Sequence, residues 1–416
     1  MTGACIIGQS GGPTAVINAS LYGAVKAAFA SSKITRVLGA HHGIAGILAD
    51  DLFDIGAESA EDIELLPFTP SSALGSCRYK LTDPSSDNRE YRTILDVFRK
   101  YDVRYFFYIG GNDSMDTCEK ISRYMASNGY DCRVMGIPKT IDNDLNGTDH
   151  CPGYGSAAKF IATSMLEVYK DCRVYDKRTI TVVEIMGRNA GWLTAAAALA
   201  SKFGQGPDLI YLPESPFDMY EFLAKAKGIY EAQGGVLVAV SEGIRDRDGT
   251  LILESEQEQQ GEGFVDSFGH VQLGGVASML AAKLQRATGA KTRAIELSLL
   301  QRCAAHCASK TDIDEAIAAG SAAVNAALNG ESGKMAALER VTENGEYNCK
   351  TKLIPLADAA NAEKTVPLEW ITDGGLTDDF IAYALPLIQG EPERPLMNSL
   401  PRFTNFKRVK AQVYGY

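Results

Sequence analysis

Val103-Arg104-Tyr105-Phe106-Phe107-Tyr108-Ile109-Gly110-Gly111-Asn112-Asp113-Ser114-Met115 is a run of β-branched and aromatic residues that ends on two glycines and passes at once into a helical pattern. Such a run reads as a strand feeding directly into a helix. The unit recurs along the chain. Strands are predicted at Ala4–Gly8, Arg36–Ala40, Arg133–Ile137, Thr179–Met186, Asp208–Leu212, Val236–Ser241 and Thr292–Leu297. Between them lie helical patterns at Ala15–Ser31, Arg89–Tyr101, Ser114–Asn128, Ser156–Asp171, Phe217–Gln233 and Gly274–Ala287. That alternation predicts an α/β fold with largely parallel sheets, in which ligands bind beyond the carboxyl ends of the strands.

At 416 residues the chain is longer than one hydrophobic core usually organises, so two packed lobes are expected. Its 52 acidic and 41 basic residues give a formal charge of −11, which argues against non-specific binding to nucleic acid or an anionic membrane. Any site for an anionic substrate must then be locally basic, built from a few cations in defined motifs. Nine cysteines without a short-spaced framework read as reduced thiols. Cys303, His306 and Cys307 could share a helical face and hold a soft metal, but no fourth ligand is evident. The N-terminus starts directly as a strand with no basic region before an apolar stretch, and no apolar run approaches a membrane span, so a cytoplasmic protein is expected. After about Gly345 the character changes, and Pro355, Pro367, Pro386, Pro395 and Pro401 punctuate a tail that reads as an irregular segment wrapped on the body.

Four motifs carry chemistry. Gly8-Gln9-Ser10-Gly11-Gly12-Pro13-Thr14 follows the first strand, and its paired glycines let backbone N–H groups approach an anion; a plain tight turn would look the same. No Lys-Ser or Lys-Thr pair follows, so it is not a Walker A loop. Gly110-Gly111-Asn112-Asp113-Ser114 can admit phosphate oxygens, or Asn112 or Asp113 can simply cap the helix. Pro138-Lys139-Thr140-Ile141-Asp142-Asn143-Asp144 sets a cation, a hydroxyl and two carboxylates after an apolar strand. A lysine can clamp a phosphoryl group, one carboxylate can take a proton from an attacking hydroxyl, and the other can order a hydrated metal. The alternative is a polar turn in which Asp142 and Asp144 cap local backbone. Met186-Gly187-Arg188 ends a strand where a guanidinium could reach phosphate oxygens or point into solvent.

As an ordered set, Ser10-Gly11-Gly12, Gly75-Ser76-Cys77-Arg78, Gly110 to Ser114, Pro138 to Asp144, Met186-Gly187-Arg188, Val240-Ser241-Glu242-Gly243, Thr292-Arg293-Ala294 and Leu300-Gln301-Arg302 resemble the phosphofructokinases over roughly the first 335 residues. The resemblance implies two Rossmann-like three-layer domains facing a central cleft, with a C-terminal extension. The donor domain would comprise 1–155 with part of 303–345, the fructose 6-phosphate domain 156–302, and the extension 346–416. Asp142 would be the base that takes the sugar 1-hydroxyl proton, with Thr140 beside it. Met186, Gly187, Arg188, Glu242, Arg293 and Arg302 would join them in holding fructose 6-phosphate. Gly11, Gly12 and Arg78 would face the phosphoryl donor, and Asn112 with Asp144 would hold magnesium.

Two positions bear on the donor. The ATP-using branch typically has glycine at the places of Asp113 and Lys139, whereas the pyrophosphate-dependent branch is similar to this chain at both. A carboxylate at Asp113 would oppose the α-phosphate of ATP, and Lys139 offers a cation to a small, highly charged donor. The resemblance therefore implies reversible transfer from pyrophosphate by a homodimer or other homo-oligomer. An ATP-dependent enzyme and a non-catalytic regulatory subunit are the competing readings. The chain departs from the family pattern at Asn112, commonly aspartate, and at Leu299, often histidine or tyrosine.

Overall fold

The structure, a computed structural model, describes residues 1–174, 176, 179–254, 274–360 and 363–413. Its larger sheet is built on strands β1 (Gly3–Gln9), β2 (Ile34–Ala40), β3 (Leu52–Asp54), β4 (Val103–Gly110), β5 (Arg133–Pro138), β10 (Lys334–Glu343) and β11 (Glu346–Pro355). Their order is β11-β10-β5-β4-β1-β2-β3. The pairs from β10 to β2 are parallel, and antiparallel β3 and β11 form the two edges. The smaller sheet takes β6 (Ile180–Ile185), β7 (Leu209–Tyr211), β8 (Val236–Ser241) and β9 (Thr292–Glu296), all parallel, in the order β7-β8-β6-β9. Every strand read from the sequence is present, within two residues at either end.

The side-chain alternation of a strand distributes each apolar run between two layers. From β1 and β4, Ile6, Phe106 and Tyr108 enter one core with Ile94, Phe98 and Met115 of the helices Arg89–Lys100 and Asn112–Ser127. Cys5, Ile7, Tyr105, Phe107 and Ile109 enter the other, against Ile17, Leu21 and Ala323 of the helices Ile17–Phe29 and Lys310–Leu328. The smaller sheet divides in the same way. Val183, Ile185 and Ala239 meet helix Tyr154–Asp171, while Ile180, Val182 and Val238 meet helices Met219–Gln233 and Val276–Thr288. Each sheet is thus the middle of three layers.

The tail is more regular than its composition suggests. Its first ten residues are β11, paired along their whole length with β10, so the stretch read as irregular begins as a sheet edge. Further on, helix Asp378–Ala384 packs Phe380 and Ala384 into the core of the smaller sheet. Cys303, His306 and Cys307 do not share a helical face, because the helix breaks at Ala304. His306 packs edge-on against Phe160 instead, and the nine cysteines are free thiols. Among the described residues no helix is long and apolar enough to cross a membrane.

A buried ionic network ties the tail hairpin to the body. His150 Nδ1 lies 2.8 Å from Asp149 Oδ1, and its Nε2 lies 2.6 Å from Glu315 Oε2. The Tyr347 hydroxyl of β11 donates to Glu315, and Arg340 of β10 donates to Asp149. Burial by itself pushes the His150 pKa down, but the hydrogen bonds and charges of Asp149 and Glu315 outweigh it and raise the net value above 6.5.

A cation whose folded pKa exceeds its unfolded value stabilises fully below the unfolded pKa, and the contribution is lost as pH rises through the folded value. As pH rises above 6.5 the urea midpoint of the wild type should therefore fall more steeply than that of His150→Gln. A second prediction concerns the helix pair Ile17–Phe29 and Lys310–Leu328, which touch backbone to backbone: a Cβ at Gly320 would lie 2.0 Å from the Ser20 carbonyl oxygen. Gly320→Ala should drive the helices apart and cost about 1–3 kcal/mol in denaturant unfolding.

Candidate active site

Three loops at the carboxyl ends of β1, β4 and β5 enclose a cleft of about 680 Å³. Its lining includes Ser10, Gly11, Gly12, Arg78, Asn112, Asp113, Lys139, Thr140, Asp142 and Asp144. The parallel order β5-β4-β1 is what brings the three loops side by side.

Lys139 leaves the end of β5 and is buried, with its ammonium donating to the Gly12 carbonyl at 2.7 Å. Burial pulls its pKa down to about 8, against the upward pull of the Asp142 and Asp144 charges. This close approach explains the glycine loop. Gly11 has a positive φ of 75°, and a Cβ there would stand 3.1 Å from the Lys139 nitrogen. A Cβ at Gly12 would stand 3.3 Å from a nitrogen of Arg302. The glycines thus let two cations close on the loop.

Asp142 is held by its own turn, its N–H donating to the Thr140 hydroxyl at 3.1 Å. Burial and the Glu242 charge raise its pKa, while Lys139, Thr140 and Arg302 oppose them. Asp144 is pushed up to about 7, by burial first and by the Asp142 charge second. The Asn112 amide lies 3.4 Å from the Asp144 carboxylate, so both sequence-predicted metal ligands reach one corner. Neither Asn112 nor Asp113 caps the helix: Gly111 holds the cap position and Asn112 opens the first turn. Asp113 sits at the exposed rim, 3.8 Å from Lys80.

The loops of the smaller sheet are bound to one another. Glu242 accepts the Gly187 N–H at 3.1 Å, Ser241 donates to the Gly187 carbonyl at 2.6 Å, and Gln301 accepts the Met186 N–H at 3.1 Å. Gly187, at φ 138°, makes that turn possible. The Arg188 charge acts on Glu242, and the Glu242 and Arg302 charges act on Asp142, so these groups converge on one region. Burial and the nearby Arg78 charge push the Arg302 guanidinium below its usual range. Lys139, Arg78 and Arg302 form the local basic site that the acidic chain requires.

Arg293 does not join them. It lies on β9, pairs with Asp171 at 3.2 Å, and lines a separate groove with Glu167 and Val168. The strand pattern predicted β9 but not that this arginine points away from the cleft. Conversely, Glu363 of the tail lines the cleft and raises the Asp144 pKa, and no motif in the sequence marked it. Lys80 and Tyr79 line the cleft as well and were also missed, although they directly follow Arg78.

The Phosphofructokinase family matches residues 4–326. The chain belongs to the phosphofructokinase family. It is 43% identical over 413 residues to the pyrophosphate–fructose 6-phosphate 1-phosphotransferase of Halomonas elongata, covering 97% of this chain and 96% of that one. It is 44% identical over 416 residues to the protein of that name from Xanthomonas campestris pv. campestris, covering 98% and 97%. The crystal structure of a pyrophosphate-dependent phosphofructokinase from Nitrosospira multiformis superimposes with a TM-score of 0.88 at 39% identity, over 100% of both chains. Phosphofructokinases have two Rossmann-like domains, which correspond to the two three-layer sheets here.

Enzymes of this family generally use a divalent metal for phosphoryl transfer. The site suits one. Asp142, Asp144 and Glu363 crowd one cleft, and a carboxyl driven up to about 7 by burial and a like charge signals a position that a cation would relieve. Asp142, Asp144 and Glu363 offer carboxylate oxygens, the donor type that hard divalent ions take.

Proposed function

We propose that this phosphofructokinase transfers a phosphoryl group from pyrophosphate to the 1-hydroxyl of fructose 6-phosphate, giving fructose 1,6-bisphosphate and phosphate, in a reaction that also runs in reverse. The observation that carries the reading is the buried Lys139 ammonium. It bridges the Gly11-Gly12 loop to the Asp142 turn, where a compact, highly charged donor needs a cation. The names of the full-length relatives point to the same donor.

In the proposed mechanism Gly11, Gly12, Arg78 and Lys139 bind pyrophosphate, while Met186, Gly187, Arg188, Glu242 and Arg302 hold the sugar phosphate with its 1-hydroxyl against Asp142. Asp142 accepts the hydroxyl proton as the oxygen attacks in line. Burial raises its pKa, the direction that suits a general base. Thr140 fixes the turn that aims it. Lys139 and Arg188 stabilise charge on the transferring and leaving oxygens, and no covalent intermediate is needed. Asp144 with Asn112 would hold magnesium, which would supply counter-charge to the pyrophosphate. Asp113 disfavours a longer nucleotide tail, although its exposure and its pairing with Lys80 screen that effect.

The division of labour follows the sheets. Residues 1–155 with part of 303–345 carry the donor loops, 156–302 the acceptor loops, and 346–416 pack on the body. We assign the enzyme to the cytoplasm as a homodimer or other homo-oligomer. Support comes from the β9 edge, unpaired among the described residues, and the exposed Leu299 and Leu300 that follow it, which a second copy would cover.

With magnesium and fructose 6-phosphate, turnover should occur with pyrophosphate and not with ATP as sole donor. Turnover with ATP alone would overturn the donor assignment, and activity with neither would overturn the reaction. Asp142→Asn, which keeps size and removes the base, should lower kcat about 10²- to 10⁴-fold while the melting temperature stays within a few degrees.

A further inference from the structure

Behind the Asp142 turn lies a set of contacts that the proposed chemistry does not use. Asn143, between the two carboxylates, is fully buried and has a left-handed φ of 55°. This reversal directs Asp142 and Asp144 into the same cleft. Asparagine is among the few residues other than glycine that tolerate the region, but tolerance alone does not hold the turn. Two side-chain hydrogen bonds do. The amide oxygen accepts the Cys151 N–H at 2.9 Å, and the amide nitrogen donates to the Tyr383 hydroxyl at 2.8 Å.

Tyr383 comes from the tail, on helix Asp378–Ala384, about 240 residues along the chain. Its hydroxyl donates in turn to the Asp149 carbonyl at 2.8 Å, so one oxygen bridges both limbs of the loop from 143 to 151. The ring is itself fixed. Trp192 and Trp370 pack against it with centroids 5.2 and 5.5 Å away, and the Arg340 guanidinium lies 4.8 Å over its face. A second tail residue works on the same loop. The Lys364 N–H donates to the Asp144 carbonyl at 2.7 Å, and its ammonium donates to the carbonyls of Thr148 and Asp149 at 3.2 and 2.6 Å.

We propose that Tyr383 is a positioning residue for phosphoryl transfer: its hydroxyl holds Asn143 in the left-handed turn and so fixes the direction of the Asp142 carboxylate. The proposal rests on Asp142 being the base. It gives the C-terminal extension a part in the reaction although the tail supplies no group to the transferring phosphoryl. A base held loosely still binds both substrates, so the loss should fall on turnover rather than on binding.

Tyr383→Phe removes the hydroxyl and keeps the ring packing, so the fold should survive. Expected are a kcat lowered about 10- to 100-fold with KM for both substrates within about twofold, and faster amide exchange in residues 141–151. Tyr347→Phe is the control, because it removes a hydroxyl of the same tail that bonds Glu315 instead. It should leave kcat unchanged. Adding Tyr383→Phe to Asn143→Ala should cost nothing beyond Asn143→Ala alone, since the two act as one unit. Wild-type kcat and exchange in Tyr383→Phe would overturn the proposal, as would an equal kcat loss in Tyr347→Phe. Should the wild type show no turnover with pyrophosphate, the functional reading fails, and the exchange rates of 141–151 still decide whether the clamp exists.

Discussion

One constraint shapes the site: an ammonium group, Lys139, is buried at the end of β5 beside two carboxylates that are themselves desolvated. A buried charge must be compensated at short range. Here the Gly12 carbonyl, Asp142 and Asp144 provide the compensation, and each comes from a loop at the carboxyl end of the larger sheet's strands. The glycines at 11 and 12 follow from the need to bring backbone within reach of Lys139 and Arg302. A chain of net charge −11 thereby gathers cations in one cleft while its surface stays acidic.

The parts legible in the sequence are those whose physics is local. Strands buried between two helical layers are continuous apolar runs, and β1, β4, β5, β6 and β8 could be read from them within a residue or two. The Lys139–Asp144 motif was legible because a cation, a hydroxyl and two carboxylates after an apolar strand have few purely structural uses. The β10–β11 hairpin was not, since outside its first few residues charged side chains such as Glu339, Lys350 and Lys352 face solvent and pair across the strands. A sheet edge with one wet face lacks the apolar run that marks a buried strand. Arg293 shows a different limit. Its motif and strand are found where expected, yet its direction depends on how β9 packs against helix Tyr154–Asp171, which no spacing encodes. Glu363 belongs to no motif, so only the tertiary path of the tail shows that it faces Asp144.

The tail therefore has two kinds of contact with the body. Through β11 and Tyr347 it completes the larger sheet and closes the ionic network around His150. Through Glu363, Lys364 and Tyr383 it reaches the loop that carries Asp142 and Asp144. The two are linked at Asp149, whose side chain binds His150 and Arg340 while its carbonyl accepts from Tyr383 and Lys364. Burial alone would raise the Asp149 pKa, but His150 and Arg340 hold it at about 2, so the junction stays charged.

The perturbed groups of the His150 network and those of the cleft are shifted in opposite directions. Asp149 and His150 are shifted toward their charged forms, the mark of ion pairs that strengthen the fold. Asp142, Asp144 and Lys139 are shifted toward their neutral forms, so folding places each where its charge is costly. Nothing in the stability of the chain calls for that arrangement. A ligand that brings both a cation to the carboxylates and an anion to the ammonium would relieve all three at once, as a metal-bound pyrophosphate does. The charges that folding desolvates in the cleft are thus the complement of the charge distribution it is built to receive.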